Sequence, residues 1–391
     1  ISKESNYSRP LISYYLGGKV KNENMIYRDK DFFEKNRVEL KINTIVESIN
    51  TESKSISLKS GEKIAYTKLL IATGGSPIIP QIEGIEAKGV FTFLTMEDAN
   101  RIKQYVAEKG IKSAVVLGGG LIGLKSAEAL MNLGLKISII ELANRILSVT
   151  FDEKASKIIQ TGLEADGCNV FTENTIVKIE SDEQKVIKSV KLKDGNEIAT
   201  NLLIVAIGVR PNVEIIKGTP IKVDKGIVVD KYMRTSVEGV YAAGDVVQFD
   251  KWVVAILPLA TKQGLIAGIN MSGGKKEYQV SIPMNAVELC NIPTISFGLT
   301  DPKENKDQYE ILEKYLPDKK IYRKIILKEN VIVGAIMVKE IDRAGIYMGL
   351  IRNQIDVSNF KDHLLKEDFG LLSLPKDYRK KHLIKGRVLE I

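Results

Sequence analysis

Residues 113–123 read Ser113-Ala-Val-Val-Leu117-Gly118-Gly119-Gly120-Leu121-Ile122-Gly123. The apolar run 113–117 predicts a strand, and it leads directly into Gly118-x-Gly120-x-x-Gly123. The following LKSAEALMNLG carries apolar residues at helical spacing and stops at Gly134. A second apolar run, 136–141, ends in Glu141, 23 residues after Gly118. A lone glycine motif is weak, but strand, glycine turn, helix, strand and terminal acid in this order form a dinucleotide-binding fingerprint. Gly118 makes the tight turn, Gly120 lets the backbone approach a pyrophosphate, and Gly123 lets helix and strand pack closely. Leu121 and Ile122 open the helix, whose free N–H groups and positive dipole end face the phosphates. The Glu141 carboxylate accepts from both ribose hydroxyls and repels a 2′-phosphate, which favours NADH over NADPH. Arg145, four residues on, is the cation with the length to reach a 2′-phosphate in the opposing reading.

The chain has 391 residues, which at about 150 per domain suggests two or three domains. Apolar residues make up 44% and charged residues 27%, as in an ordinary globular protein. No apolar run approaches the roughly 18 residues of a membrane span. Two cysteines, Cys168 and Cys290, exclude a disulfide scaffold, and two histidines, His363 and His382, argue against a multi-histidine metal site. No metal is expected. No signal peptide is visible after Ile1, so a reducing cytoplasm is the default expectation. Net charge is +8, and residues 375–391 hold six basic against two acidic side chains, among them Arg379, Lys380 and Lys381. This tail reads either as a solvated end or as a docking surface for an acidic partner. Aromatic interleaving and nucleic-acid modules are absent, so no nucleic-acid or membrane partner is expected. The sequence is compatible with a homodimer without specifying one.

Strand-like runs alternate with helical patterns over roughly the first 275 residues, at 69–72, 113–117, 136–141, 202–207 and 239–242. The texture changes near Pro283. Short strands are predicted at 286–289, 294–297, 321–327 and 331–338, followed by a helix over 342–353, which suggests a separate α+β unit. Two further motifs follow strands: Leu70-Ile-Ala72-Thr73-Gly74-Gly-Ser-Pro, and Gly239-Val-Tyr-Ala-Ala243-Gly244-Asp245. Each alone is a strand-to-turn with small residues, but their order around the fingerprint suggests a second dinucleotide site.

ATG, GGGLIG, AIGVRPN (206–212) and AAGD together resemble the pyridine-nucleotide-disulfide oxidoreductase superfamily, the two-dinucleotide flavoproteins. Tyr7-Ser-Arg9-Pro10-Leu-Ile-Ser13 and Asp342-Arg-Ala-Gly-Ile look most like NADH:rubredoxin and ferredoxin reductases and the FAD/NAD modules of nitrite reductase large subunits. The resemblance implies an α/β fold with an FAD domain (1–98 and 223–280) interrupted by an NAD domain (99–222), then a C-terminal α+β interface domain (281–391). It implies that Arg9 and Pro10 lie beside the flavin, and that Ala72, Thr73 and Gly74 lie at the FAD–NAD junction. Asp245 would hydrogen-bond the ribityl–pyrophosphate region of FAD, and Leu257 and Pro258 would border the isoalloxazine. The strand near Thr44–Val46 would cover the adenine, and Gly208 would sit near the nicotinamide.

Three departures from that pattern stand out. The family's own first strand–GxGxxG–helix for FAD is absent before Tyr7, about 30 residues by the usual βαβ length, which reads as a fragment of a longer chain. No cysteine lies near residues 8–14, so thiol-disulfide chemistry is not expected and both cysteines read as structural. Relatives often carry a Lys shortly after Arg-Pro and an acid two residues after the last fingerprint glycine; here those places hold Tyr14 and Lys125. If the two meet beside the flavin they are catalytic candidates, and the ammonium favours an anionic reduced cofactor. If not, Lys125 simply faces solvent. The activity implied is that of an NADH-dependent flavoprotein, with FAD and NADH as cofactors. Electrons would pass to a small acidic carrier such as rubredoxin or ferredoxin, or to a partner subunit. The alternatives are a non-catalytic NADH-binding subunit or sensor, and an NADH oxidase that uses oxygen.

Overall fold

Strand Ser113–Leu117 is buried from Ala114 onward because elements cover both faces of its sheet. The computed structural model, which describes residues 1–279, 282–376 and 379, places it third in a five-stranded parallel sheet. The order is Val90–Thr92, Leu203–Val205, Ser113–Leu117, Lys136–Ile140, Asn169–Phe171. Helices Leu121–Asn132 and Glu153–Ala165 supply the crossovers that parallel neighbours require. Helix Met96–Lys109 starts at a capping box made by Thr95 and Asp98 and ends at left-handed Gly110. One face of the sheet packs on these helices and on the short helix Ile12–Leu16. The other packs on an antiparallel meander, Ile176–Ser181, Ile187–Leu192 and Glu197–Ala199.

A second core gathers the segments that flank this sheet in sequence. Leu69–Ile71 lies parallel to Val240–Ala242, and Ile227–Val229 lies parallel to Val247–Phe249. The meander Val46–Asn50, Ser55–Leu58, Lys63–Ala65 and the helix Leu257–Met271 complete this region. Thr44 and Ile45 precede the first of these strands, which begins at Val46.

The C-terminal part is a five-stranded antiparallel sheet in the order Met284–Leu289, Ile292–Gly298, Val331–Val338, Ile321–Lys328, Glu310–Leu316, with helix Ala344–Arg352 on one face. Sequence patterning misses Glu310–Leu316, an edge strand rich in charged side chains. Period-two alternation explains how the sheet is used. Ala335 and Met337 join the core under the helix, whereas Ile336 and Val338 join the core of the parallel-sheet domain.

Strand Ile321–Lys328 carries Arg323 and Lys324 in its buried middle. Burying a charge is tolerable only with a partner. Lys324 Nζ donates to Asp152 Oδ2 at 2.9 Å and to the Thr300 carbonyl at 3.2 Å. Tyr322 Oη donates to the same Asp152 oxygen at 2.7 Å. Burial and the two neighbouring carboxylates, Asp152 and Glu313, push the Tyr322 phenol well above its ordinary range, so it remains a donor. Asp152 also caps helix Glu153–Ala165 by accepting from Ala155 N at 3.1 Å. One carboxylate thus holds a helix start in one domain and a strand of the other.

Asp152→Ala leaves Lys324 buried and unpaired, so a loss of about 3–5 kcal/mol is expected in urea denaturation. Adding Lys324→Met should recover much of that loss. A single variant as stable as wild type would show that the pair contributes nothing.

Candidate functional site

The glycine turn is built by contacts that exclude side chains. A Cβ on Gly118 would lie 2.3 Å from the Ala206 carbonyl oxygen, and one on Gly123 would lie 1.9 Å from the Gly118 oxygen. Gly118 has φ +114°, in the region where glycine is favoured. These approaches press helix Leu121–Asn132 onto its strand. Gly120 is different: its φ is −80° and a Cβ there would meet nothing within 4 Å. It is the N-cap, and no side chain caps the helix. The first N–H groups, at Leu121 and Ile122, therefore face open space, which fits a bound pyrophosphate.

Glu141 closes this turn. Its Oε2 accepts from Gly119 N at 2.6 Å and its Oε1 from Ala143 N at 2.7 Å. Each oxygen keeps a lone pair for ribose hydroxyls. Residues 144–148 fold back over the turn, with Leu147 N donating to the Gly119 carbonyl at 2.8 Å. Arg145 sits inside this segment but its guanidinium turns away. Nη2 donates to Asp301 Oδ2 at 2.9 Å and to the carbonyls of Ser148 and Phe151, each at 3.4 Å. The guanidinium is thus engaged by Asp301 of the C-terminal domain, which disfavours the opposing reading in which Arg145 meets a 2′-phosphate.

The other two motifs meet elsewhere. Strand Gly75–Pro77 pairs with Val209–Pro211, which joins the ATG and AIGVRPN segments. Asn212 secures the joint: its Nδ2 donates to the Thr73 carbonyl at 2.9 Å, and its own carbonyl accepts from Thr73 Oγ1 at 2.8 Å. Its backbone N–H donates to the Gly74 carbonyl, 2.9 Å away, and the Gly208 carbonyl accepts from Ile78 N at the same distance. Ala72 lies just beyond the strand Leu69–Ile71.

Asp245 follows strand Val240–Ala242 and the Gly244 turn. Gln263, on helix Leu257–Met271, anchors that turn by accepting from Gly244 N at 2.8 Å. Leu257 and Pro258 form the exposed start of this helix. Burial raises the Asp245 carboxyl above its ordinary range, and the Arg9 charge opposes the shift. Asp245 and Arg9 feel each other without forming an ion pair among the described residues. Arg9 and Pro10 begin the turn Arg9–Leu11, which is tied down where Tyr7 Oη accepts from Met96 N at 3.1 Å. The Arg9 charge therefore lies near enough to act on the Asp245 carboxyl, and the two together could hold a polar cofactor segment.

Tyr14 and Lys125 do come together. Lys125 Nζ lies 4.5 Å from the Tyr14 ring centroid, donates to the Glu288 carbonyl at 3.2 Å and pairs with Glu128 one turn on. Its charge is therefore neutralised locally and Lys125 does not simply face solvent. Glu128 lies within the helical run 124–134 and Asn212 ends the AIGVRPN motif, both without an assigned role, and Asp301 lies outside every motif named in the sequence. Glu128 had a signal in its i,i+3 spacing from Lys125, whereas Asp301 lies 156 residues from its partner and had none. Cys168 is buried, and burial pushes its thiol and that of Cys290 up to about 12. Among the described residues no cluster of His, Cys, Asp and Glu could hold a metal, and no helix is long and apolar enough to cross a membrane.

The family model described as pyridine nucleotide-disulphide oxidoreductase matches residues 2–264, and the one described as the rubredoxin NAD+ reductase C-terminal domain matches residues 283–355. The chain is 30% identical over 367 residues to the NADH-dependent phenylglyoxylate dehydrogenase subunit epsilon of Aromatoleum evansii, covering 92% of this chain and 86% of that one. It is 29% identical over 354 residues to the NAD(P)H nitrite reductase of Bacillus subtilis, covering 90% of this chain but only 43% of that protein. Among solved structures it resembles NADH:rubredoxin oxidoreductase from Clostridium acetobutylicum, with a TM-score of 0.75, 27% identity, and coverage of 92% and 89%.

Two glycine substitutions separate folding from binding. Gly123→Ala should destabilise the fold by about 1–3 kcal/mol or more, because backbone must move. Gly120→Ala should leave the urea midpoint nearly unchanged and weaken ADP-ribose binding by about tenfold or more, since its methyl enters the phosphate space. Equal affinity of Gly120→Ala and wild type in calorimetry would remove the pyrophosphate from this turn.

Proposed function

The chain belongs to the pyridine nucleotide-disulphide oxidoreductase family, and from that premise we propose that it is the cofactor-binding part of an NADH-dependent flavoprotein reductase that delivers electrons to a protein acceptor. The observation that carries this reading is the glycine turn closed by Glu141, with the Arg145 guanidinium paired to Asp301. That arrangement offers acceptors to two ribose hydroxyls and keeps the Arg145 cation in an ion pair, which supports NADH. Bound together, NADH and FAD supply the hydride and electron-transfer chemistry.

The chain's own residues bind and orient. The N–H groups at Gly120–Ile122 receive the NADH phosphates at a helix dipole's positive end. Asp245 accepts hydrogen bonds from FAD hydroxyls, and Arg9 supplies positive charge opposite it. The joint between the ATG and AIGVRPN segments ties the two dinucleotide regions together, so that bound cofactors share one frame. Tyr14, with Lys125 and Glu128 of the fingerprint helix, forms a charge-balanced cluster, and we assign it to shaping the flavin surroundings.

A protein acceptor is favoured over a disulfide substrate because burial holds both thiols protonated and residues 8–14 contain no cysteine. The similarity to NADH:rubredoxin oxidoreductase over most of both chains points the same way. The chain spans less than half of the Bacillus nitrite reductase, so the acceptor there and here need not match. An acceptor screen with NADH and small iron–sulfur proteins tests the reading; NADH oxidation that none of them accelerates would overturn it.

Glu141→Ala should weaken NADH and reduce the NADH-over-NADPH preference in kcat/KM by about tenfold, the equivalent of one charge-assisted hydrogen bond. A wild-type preference for NADPH would contradict the assignment.

Asp245→Asn should lower flavin affinity and yet stabilise the cofactor-free chain. A carboxyl raised on folding contributes most when protonated, so stability falls as pH rises from about 3.9, its ordinary value, to the raised one. The Asn variant should lose that component of the pH dependence. Unchanged flavin occupancy together with an unchanged pH profile would refute the role.

A further inference from the structure

We propose that Asp301, in the C-terminal domain, is a coenzyme-selectivity residue: it holds Arg145 away from the ribose 2′ position and so keeps the site specific for the unphosphorylated coenzyme. The inference rests on the NADH reading of the Glu141 turn given above.

The position of Arg145 is the first support. Its neighbour Ile146 approaches the glycine turn so closely that a Cβ on Gly119 would lie 2.9 Å from Ile146 Cγ2. Leu147 N bonds to the Gly119 carbonyl, and Glu141, the ribose acceptor, lies four residues back. An arginine here has the length to reach the ribose edge, and its planar fork suits a phosphate. A free Arg145 would therefore weaken the discrimination that Glu141 makes.

The second support is how Arg145 is held. Asp301 provides its single charged partner among the described residues, and the arginine side chain retains only 16% of its exposure. The remaining contacts, Ser148 O, Phe151 O and Asn144 Oδ1, are each at 3.4 Å. Nε is buried without a partner. The guanidinium is thus incompletely satisfied where it is, and one ion pair keeps it there. Without Asp301 a buried cation would lack a counter-charge, which drives it outward.

The third support is the rigidity of the Asp301 loop. Leu299 N donates to the Val333 carbonyl at 3.0 Å, and the Thr300 carbonyl accepts from Lys324, itself paired with Asp152. Asp301 is presented from a pinned loop at the same junction that fixes the helix after Arg145.

The test titrates the full chain with ADP-ribose and with ADP-ribose 2′-phosphate by calorimetry, for wild type, Asp301→Asn, Arg145→Met and the double variant. Asp301→Asn should bind the 2′-phosphate about tenfold tighter than wild type, while ADP-ribose changes less than about twofold. The gain should vanish in the double variant, and Arg145→Met alone should not acquire it. Circular dichroism verifies folding, and Asp301→Ser repeats the comparison if the Asn variant is unfolded. No gain in a folded Asp301 variant, or a gain that survives loss of Arg145, overturns the inference. Wild-type protein that binds neither compound overturns the coenzyme reading and this inference with it.

Discussion

The approach of the fingerprint helix to its strand is the constraint on which the rest depends. With Gly123 carrying no side chain, its Cα packs against the Gly118 carbonyl, and a methyl could not fit. That contact fixes where the helix starts, and so where its free N–H groups stand. It also fixes the height at which Lys136–Ile140 ends, because Glu141 must reach Gly119 N. The returning segment 144–148 folds over the same turn, and Arg145 within it and Asp152 just after it bond to the C-terminal domain. A backbone contact in one motif is thereby felt across the molecule.

Much of the fold was legible because the parallel strands are short apolar runs buried on both faces. The runs at 113–117, 136–141 and 202–207 became neighbouring strands of one sheet. The strand at 321–327 was equally readable, but the reason for Arg323 and Lys324 within it was not. The partner of Lys324 belongs to a distant segment, and an ion pair between residues 172 apart leaves no local pattern. The edge strand Glu310–Leu316 escaped for the opposite reason: its charged side chains obscure the alternation.

The same distinction runs through the candidate site. Glycines and Glu141 act through local geometry, so their spacing announced them. Lys125 and Tyr14 were brought together as their positions suggested, but Glu128 changed what the pair means by neutralising the ammonium. Arg145 was chemically suited to one role and structurally committed to another. Which outcome held was decided by Asp301, from a part of the chain that no fingerprint covers.

The junction between the parallel-sheet domain and the C-terminal sheet also bears on how such proteins diversify by exchanging parts. Ile336 and Val338 extend a neighbour's core, and Asp152–Lys324 and Arg145–Asp301 cross the same boundary. A recombination event that replaced the C-terminal domain alone would strand Asp152 and Arg145 as buried, unpaired charges. The two domains therefore travel best as one heritable unit. Grafting that unit into a larger polypeptide preserves every bond described, whereas splicing within it does not.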